Sequence, residues 1–103
     1  MKQTQARGRA AKSSSPLFGV GRIHATHGAL MALGDVEDVM DLVRRHVAGD
    51  WGDLSAEERA ANDSAVLEQV GRVFSAYDVA NQRLCVVTAA DRTLTTVRLS
   101  TES

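Results

Sequence analysis

The chain has 103 residues, 44% of them hydrophobic and 24% charged, with a net charge of -1, which is the composition of an ordinary soluble domain with room for a single core. With one cysteine, Cys85, an internal disulfide and a multi-cysteine zinc site are excluded, and a reducing cytoplasmic setting is expected. No apolar run approaches the roughly 18 residues of a membrane span, and no apolar segment follows the basic start as in a secretory signal.

The small net charge conceals a segregation. Met1 to Gly34 carries five cations (Lys2, Arg7, Arg9, Lys12, Arg22) and no carboxylate. Asp35 to Gln69 carries ten carboxylates against Arg44, Arg45 and Arg59, a net of -7. Such a division speaks of partners rather than of fold.

Residues 1–15 are polar and lack a periodic apolar face, so they are expected to form a disordered basic tail. A single α+β domain is expected over 16–100. Leu17 to Thr26 suggests a first strand with Phe18, Val20 and Ile23 turned inward and a weak point or bulge at Gly19 and Gly21. Thr26 is placed to cap a short helix, His27–Leu33, which Gly34 stops. Asp35 caps the clearest helix, Val36–Ala48, where Val36, Val39, Met40, Val43 and Val47 make one apolar stripe. Glu37, Asp38 and Asp41 begin that helix, and Arg44, Arg45 and His46 end it, as the helix dipole favours.

After Gly49 comes a compact loop, Asp50 to Leu54. Ser55 with Glu58 forms a capping box for a turn or two of helix through Ala61. Asn62 or Asp63 re-caps a second short helix with Ala65, Val66, Leu67 and Val70 as its apolar positions, ended by Gly71. The period then falls to two. Val73 to Val79 is a strand, Asn81 and Gln82 sit at a tight turn, Leu84 to Thr88 is a central strand, and Thr95 to Leu99 is the last, with a frayed tail after Ser100. Helices followed by strands argue for an α+β fold. The expected sheet is antiparallel, with one N-terminal strand and a C-terminal three-strand meander, and carries two to three helices on one face.

Several residues could carry chemistry. His24 and His27 lie three apart, but a strand end followed by a helix start does not give the shared face a metal needs. Cys85 belongs to the most apolar strand and reads as a buried thiol. His46, Asp50, Trp51 and Asp53 form the one cluster that resembles a site. A carboxylate beside an imidazole could orient it as a general base. Alternatively, the two aspartates accept loop N–H groups and Trp51 pins the loop. Arg92, beside Asp91 and before Thr95 and Thr96, could pair with Asp50 or Asp53, or clamp a phosphate. Phosphate loops, nucleophile elbows and HExxH words are absent.

The words RHxxGDWGDL (Arg45 to Leu54) and TxxDRxxTTV (Thr88 to Val97), with Leu17, Phe18 and Gly21, Thr26 with Gly28 to Leu30, Asn62, and Arg72, Ser75 and Tyr77, resemble a family of small, mostly uncharacterised bacterial proteins. These are found on plasmids, phages and integrative elements. The resemblance covers about Leu17 to Leu99. Here His27 stands where proline is usual and Cys85 where an aromatic is usual, an acidic Leu-Pro tail is missing, and the basic arm is extra. Members are often labelled type I restriction methylase subunits or plasmid-related proteins, yet 103 residues cannot house a methylase domain with its glycine-rich motif.

The resemblance implies a mobile-element habitat, where small proteins often act by binding, as anti-CRISPR and anti-restriction factors do. The leading expectation is a non-enzymatic protein-binding module that inhibits a host nucleic-acid-targeting defence complex through an acidic helical surface. Its candidate residues are Glu37, Asp38, Asp41, His46, Asp50, Trp51, Asp53 and Arg92. No cofactor and no metal are expected, and the partner is a host protein or nucleoprotein complex, with a homodimer as a further option for so small a core. The alternatives are a small enzyme using His46, Asp50, Asp53 and Arg92, and a nucleic-acid-binding accessory protein using the basic arm with Arg72, Arg83 and Arg98.

Overall fold

The computed structural model describes Pro16 to Glu102; the expected basic tail lies outside the described residues. In chain order the elements are β1 (Arg22–Ala25), α1 (His27–Leu33), α2 (Val36–Val47), α3 (Ala56–Glu68), β2 (Val73–Val79), β3 (Gln82–Thr88) and β4 (Leu94–Leu99). The strands form one sheet in the order β1-β4-β3-β2, giving an α+β fold. No helix among the described residues is long and apolar enough to cross a membrane.

The caps act where local chemistry places them. Thr26 accepts from the Ala29 amide, Asp35 from the Asp38 amide, and Ser55 and Glu58 complete a reciprocal capping box, each satisfying helix N–H groups that have no partner within the helix. Gly34 ends α1 with a φ of 102°. Ala80 and Asn81, both at positive φ, form the two-residue turn that closes Val79 onto Gln82 in the β2–β3 hairpin; two positive φ values suit the twist of the flanking strands.

Four expectations need correction. The first strand is shorter than its apolar pattern implied. Ile23 is 37% exposed, and Leu17 to Val20 is a non-strand segment between the end of α2 and β4. The Leu17 amide donates to the Val47 carbonyl at 2.8 Å, and the Val20 carbonyl accepts from Thr95 Oγ1 at 2.8 Å. That strand also pairs parallel to β4, while β2, β3 and β4 form the antiparallel meander. A chain that passes through three helices and two strands before meeting its partner can enter in either direction, and residue alternation does not encode which.

The third correction concerns α3, which is one continuous helix across Asn62 and Asp63 and ends in the left-handed Gln69. Asn62 turns out of the helix to the sheet, so it has no cap to make. Leu67 and Val70, expected as apolar core positions, are exposed. Finally, the terminus is tied down. Glu102 Oε1 accepts from Thr26 Oγ1 at 2.8 Å and from the Leu99 amide at 2.7 Å.

Two apolar clusters result. In the first, α1 and α2 cover one sheet face, with Ala29, Val39, Leu42 and Val43 meeting Tyr77, Leu84, Val86 and Val97. The stripe of α2 is therefore centred on Val39, Leu42, Val43 and His46, while Val36 is left 67% exposed. The second joins Trp51, Leu54 and Ala65 to Val73, Ala76 and Cys85. Val73 belongs by alternation to the α2 side and Ala76 to the other, so this cluster wraps around the β2 edge. Each buried Val or Leu contributes about 1.5–3 kcal/mol by burial.

Candidate functional site

The loop after α2 is built onto the sheet rather than left free. Gly49 turns the chain out of α2 at a φ of 88°. The Ala76 amide then donates to Trp51 O at 3.1 Å, and the Asp53 amide donates to Ala76 O at 2.7 Å. These bonds make a one-residue parallel bridge between Gly52 and Ala76. A Cβ at position 52 would stand 1.9 Å from the Ala76 carbonyl oxygen, and φ there is +76°, so both spacing and backbone require glycine.

The side chains lock the same loop. Trp51 is buried, and its Nε1–H donates to Asp63 Oδ1 at 3.1 Å. Tyr77 donates its hydroxyl proton to Asp50 O at 2.6 Å; burial pushes that hydroxyl up to about 12. Arg45 Nε binds Asp50 Oδ2 at 2.7 Å while its guanidinium lies 4.4 Å from the centre of the Tyr77 ring. The hydrogen bond from Arg45 holds the Asp50 carboxyl below its ordinary range. Asp53 pairs with Arg83 at 2.9 Å. Arg59 Nη2 donates to Gly52 O at 2.8 Å and its Nε to Leu54 O at 3.1 Å.

His46 is fully buried beneath this loop, edge-on to Phe18 at 5.1 Å and to Trp51 at 6.0 Å. Burial lowers its pKa from 6.5 to about 4, so it is neutral near pH 7. The expected cation at the end of α2 is thus absent, because the position faces the core. Its hydrogen bonds fix the tautomer. Thr95 Oγ1 donates to the Val20 carbonyl at 2.8 Å, so it must accept from Thr88 Oγ1 at 2.7 Å. Thr88, its one proton spent, must accept from His46 Nε2–H at 3.0 Å. Nδ1 is then the acceptor for the Ser75 hydroxyl at 2.5 Å. Both ring nitrogens are committed and neither meets a carboxylate, so the imidazole satisfies a buried polar chain and has no free lone pair for general base work.

Arg92 is the other correction. It meets neither Asp50 nor Asp53. Its guanidinium donates to the carbonyls of Gly71 at 2.6 Å, Ala89 at 3.2 Å and Ala65 at 3.1 Å, and it lies 5.7 Å from the Phe18 ring centre. It therefore ties the end of α3 to the β3–β4 turn, joining the Gln69 and Val70 amides on the Ala65 carbonyl and reaching Gly71 just beyond the helix. With Leu17, Phe18, Val66 and Gln69 it borders an open hollow of about 460 Å³.

The eight candidate residues thus divide. Asp50, Trp51, Asp53 and the His46 ring serve the loop and the core beneath it, Arg92 serves the end of α3, and Glu37, Asp38 and Asp41 lie exposed on the outer side of α2. There Arg44 pairs with Asp41 and with Glu37 at 3.5 Å. Asn62, Ser75, Thr88 and Thr95 do more than the sequence indicated. Ser75, Thr88 and Thr95 all occupy inward positions of their strands, and that alternation was the available signal. Among the described residues no three His, Cys, Asp or Glu side chains gather as a metal site requires. Cys85 is buried, which raises its thiol pKa and leaves it a weak nucleophile. No family model, curated protein or solved structure matches the chain.

Proposed function

We propose that this protein is a non-catalytic binding module that docks a basic partner through the outer side of α2. The observation that carries the reading is the exposed trio Glu37, Asp38 and Asp41, presented on a helix whose opposite side is fixed in the core by Val39, Leu42, Val43 and His46. A rigid helix presents those charges at little further ordering cost, and single-sign charge on a firm support steers a complementary surface. Arg44 is the cation set among them, and it leaves the trio with a net negative charge. The enclosed His46 and the dispersed partners of Asp50, Asp53 and Arg92 weigh against the enzymatic alternative.

The partner class that such a surface suits is the basic groove of a nucleic-acid-targeting assembly. The role we propose is inhibition of a host defence complex of that kind, in keeping with the mobile-element habitat that the sequence words imply. The test is affinity capture from the host with the tagged protein and, in parallel, with E37K/D38K/D41K. The wild type should retain a nucleic-acid-targeting complex, more weakly as salt rises, and the triple variant should lose it. Equal retention by the variant would remove α2 from the interface.

A further inference from the structure

We infer that the sheet face turned away from α1 and α2 binds single-stranded nucleic acid, independently of the acidic side of α2. Strand alternation and register define this face. One row runs Phe74, Val87, Thr96 and His24, the next Ala76, Cys85 and Arg98, and Leu94 pairs with Arg22 at the end nearest Arg72. Leu54 of the second cluster reaches Ala76 and Cys85; among the described residues no helix covers the row from Phe74 to His24, whose members are half-buried or exposed.

The charge on this face is positive. Arg22 and Arg72 are exposed and have no carboxylate partner among the described residues. Arg98 donates only to the carbonyls of Leu99 and Glu102. The carboxylates lie at the margins, Glu102 among them, where the Arg98 charge reaches its carboxyl. Asp53 and Asp78 flank Arg83 at the far end, and Glu58 is held in its capping box beside α3.

Arg72 stands between two shallow hollows. One, of about 430 Å³, is formed with Phe74, Asn62 and Ala61 and bordered by Glu58. The other, of about 450 Å³, is formed with Val87, Leu94, Thr96 and Arg98. Cations spaced around shallow hollows floored by Phe74, Val87, Leu94 and Thr96 match a strand whose phosphates alternate with unstacked bases. A duplex hides those base faces, and among the described residues this face carries no helix or ribbon to enter a groove. The strand would run from Arg72 towards Arg98 and Arg22, away from Glu58.

The experiment is fluorescence anisotropy of labelled 12-nucleotide oligo-dT and oligo-U with the full chain, at 30 and 200 mM KCl. Three phosphate contacts on a single strand predict a loss of about 50-fold in affinity over that range. Arg72→Glu and Arg98→Glu should each weaken binding about tenfold or more, Phe74→Leu a few-fold, and Arg44→Glu not at all, with thermal melting checked for every variant. Replacing Lys2, Arg7, Arg9 and Lys12 by serine should leave the dependence on Arg72 intact. No anisotropy change at 30 mM salt would overturn the inference. So would loss confined to the Lys2/Arg7/Arg9/Lys12 variant, equal losses with Arg44→Glu, or preference for a duplex of the same length. Salt-labile self-association abolished by Arg72→Glu, with no oligonucleotide bound, would assign the face to a second copy of the chain.

Discussion

The two edges of the sheet are treated in opposite ways. Along β2, Asn62 copies a neighbouring strand. Its Nδ2 donates to the Phe74 carbonyl, and its Oδ1 accepts from the Phe74 amide at 3.1 Å. Two residues on, the Asp53 amide and the Trp51 carbonyl take both backbone groups of Ala76. Along β1, the Arg22 and Thr26 amides donate inward to Thr93 and Val97, so Ile23 and Ala25 present their backbone groups outward. The long edge is closed by a loop and an amide that fit only there, whereas the other is kept to four residues with Arg22 at its start. An unpaired edge invites further pairing, and this chain spends its most distinctive residues on closing the longer one.

Breaking the closed edge should cost most at its anchor. Trp51→Ala empties the second cluster and orphans the Asp63 contact, for a loss of about 4 kcal/mol in urea denaturation; a loss under about 1 kcal/mol would mean that the loop holds without it. Acid should attack the same region next. The folded pKa of His46 is about 4 against 6.5 unfolded, so its stability contribution is complete above pH 6.5. It falls as the unfolded chain alone takes up a proton between pH 6.5 and about 4, by about 3 kcal/mol in all. His46→Leu should start less stable, because Ser75 and Thr88 lose their partner, yet lack this component of the pH dependence. Parallel pH curves for the two proteins would contradict a buried neutral imidazole.

Asn62→Ala leaves the Phe74 amide and carbonyl without their partner and should cost about 2 kcal/mol. Asn62→Asp replaces a donor by an acceptor facing a carbonyl and should be no better. The open edge should respond least. Ile23→Thr is expected to change stability by no more than about 0.5 kcal/mol. In hydrogen exchange, the Ile23 and Ala25 amides should exchange far faster than those of Phe74 and Ala76. Equal protection at the two edges would show that β1 is covered in solution.

Local chemistry was enough for much of this fold. Thr26, Asp35 and the Ser55–Glu58 box cap the helices at the positions their side chains imply, because a cap satisfies amides two or three residues away. The period-two run from Val73 to Leu99 gives the meander, since alternation follows from the pleat alone, and a lone Trp in a loop has few places to go but inward. Direction and partnership were decided by tertiary structure. The parallel entry of β1, the passage of α3 through Asn62, and the reach of Arg92 to Gly71 and Ala65 depend on groups 12 or more residues distant in the chain.

His46 shows the boundary most clearly. Its seven-residue spacing from Val39 places it on the buried side of α2, and only Ser75 and Thr88, 29 and 42 residues away, make a neutral imidazole tolerable there. A sequence records which residues share a face. Which polar atoms meet beneath that face is fixed when the sheet closes over them, because a buried donor or acceptor is stabilised only by a partner brought within hydrogen-bond reach.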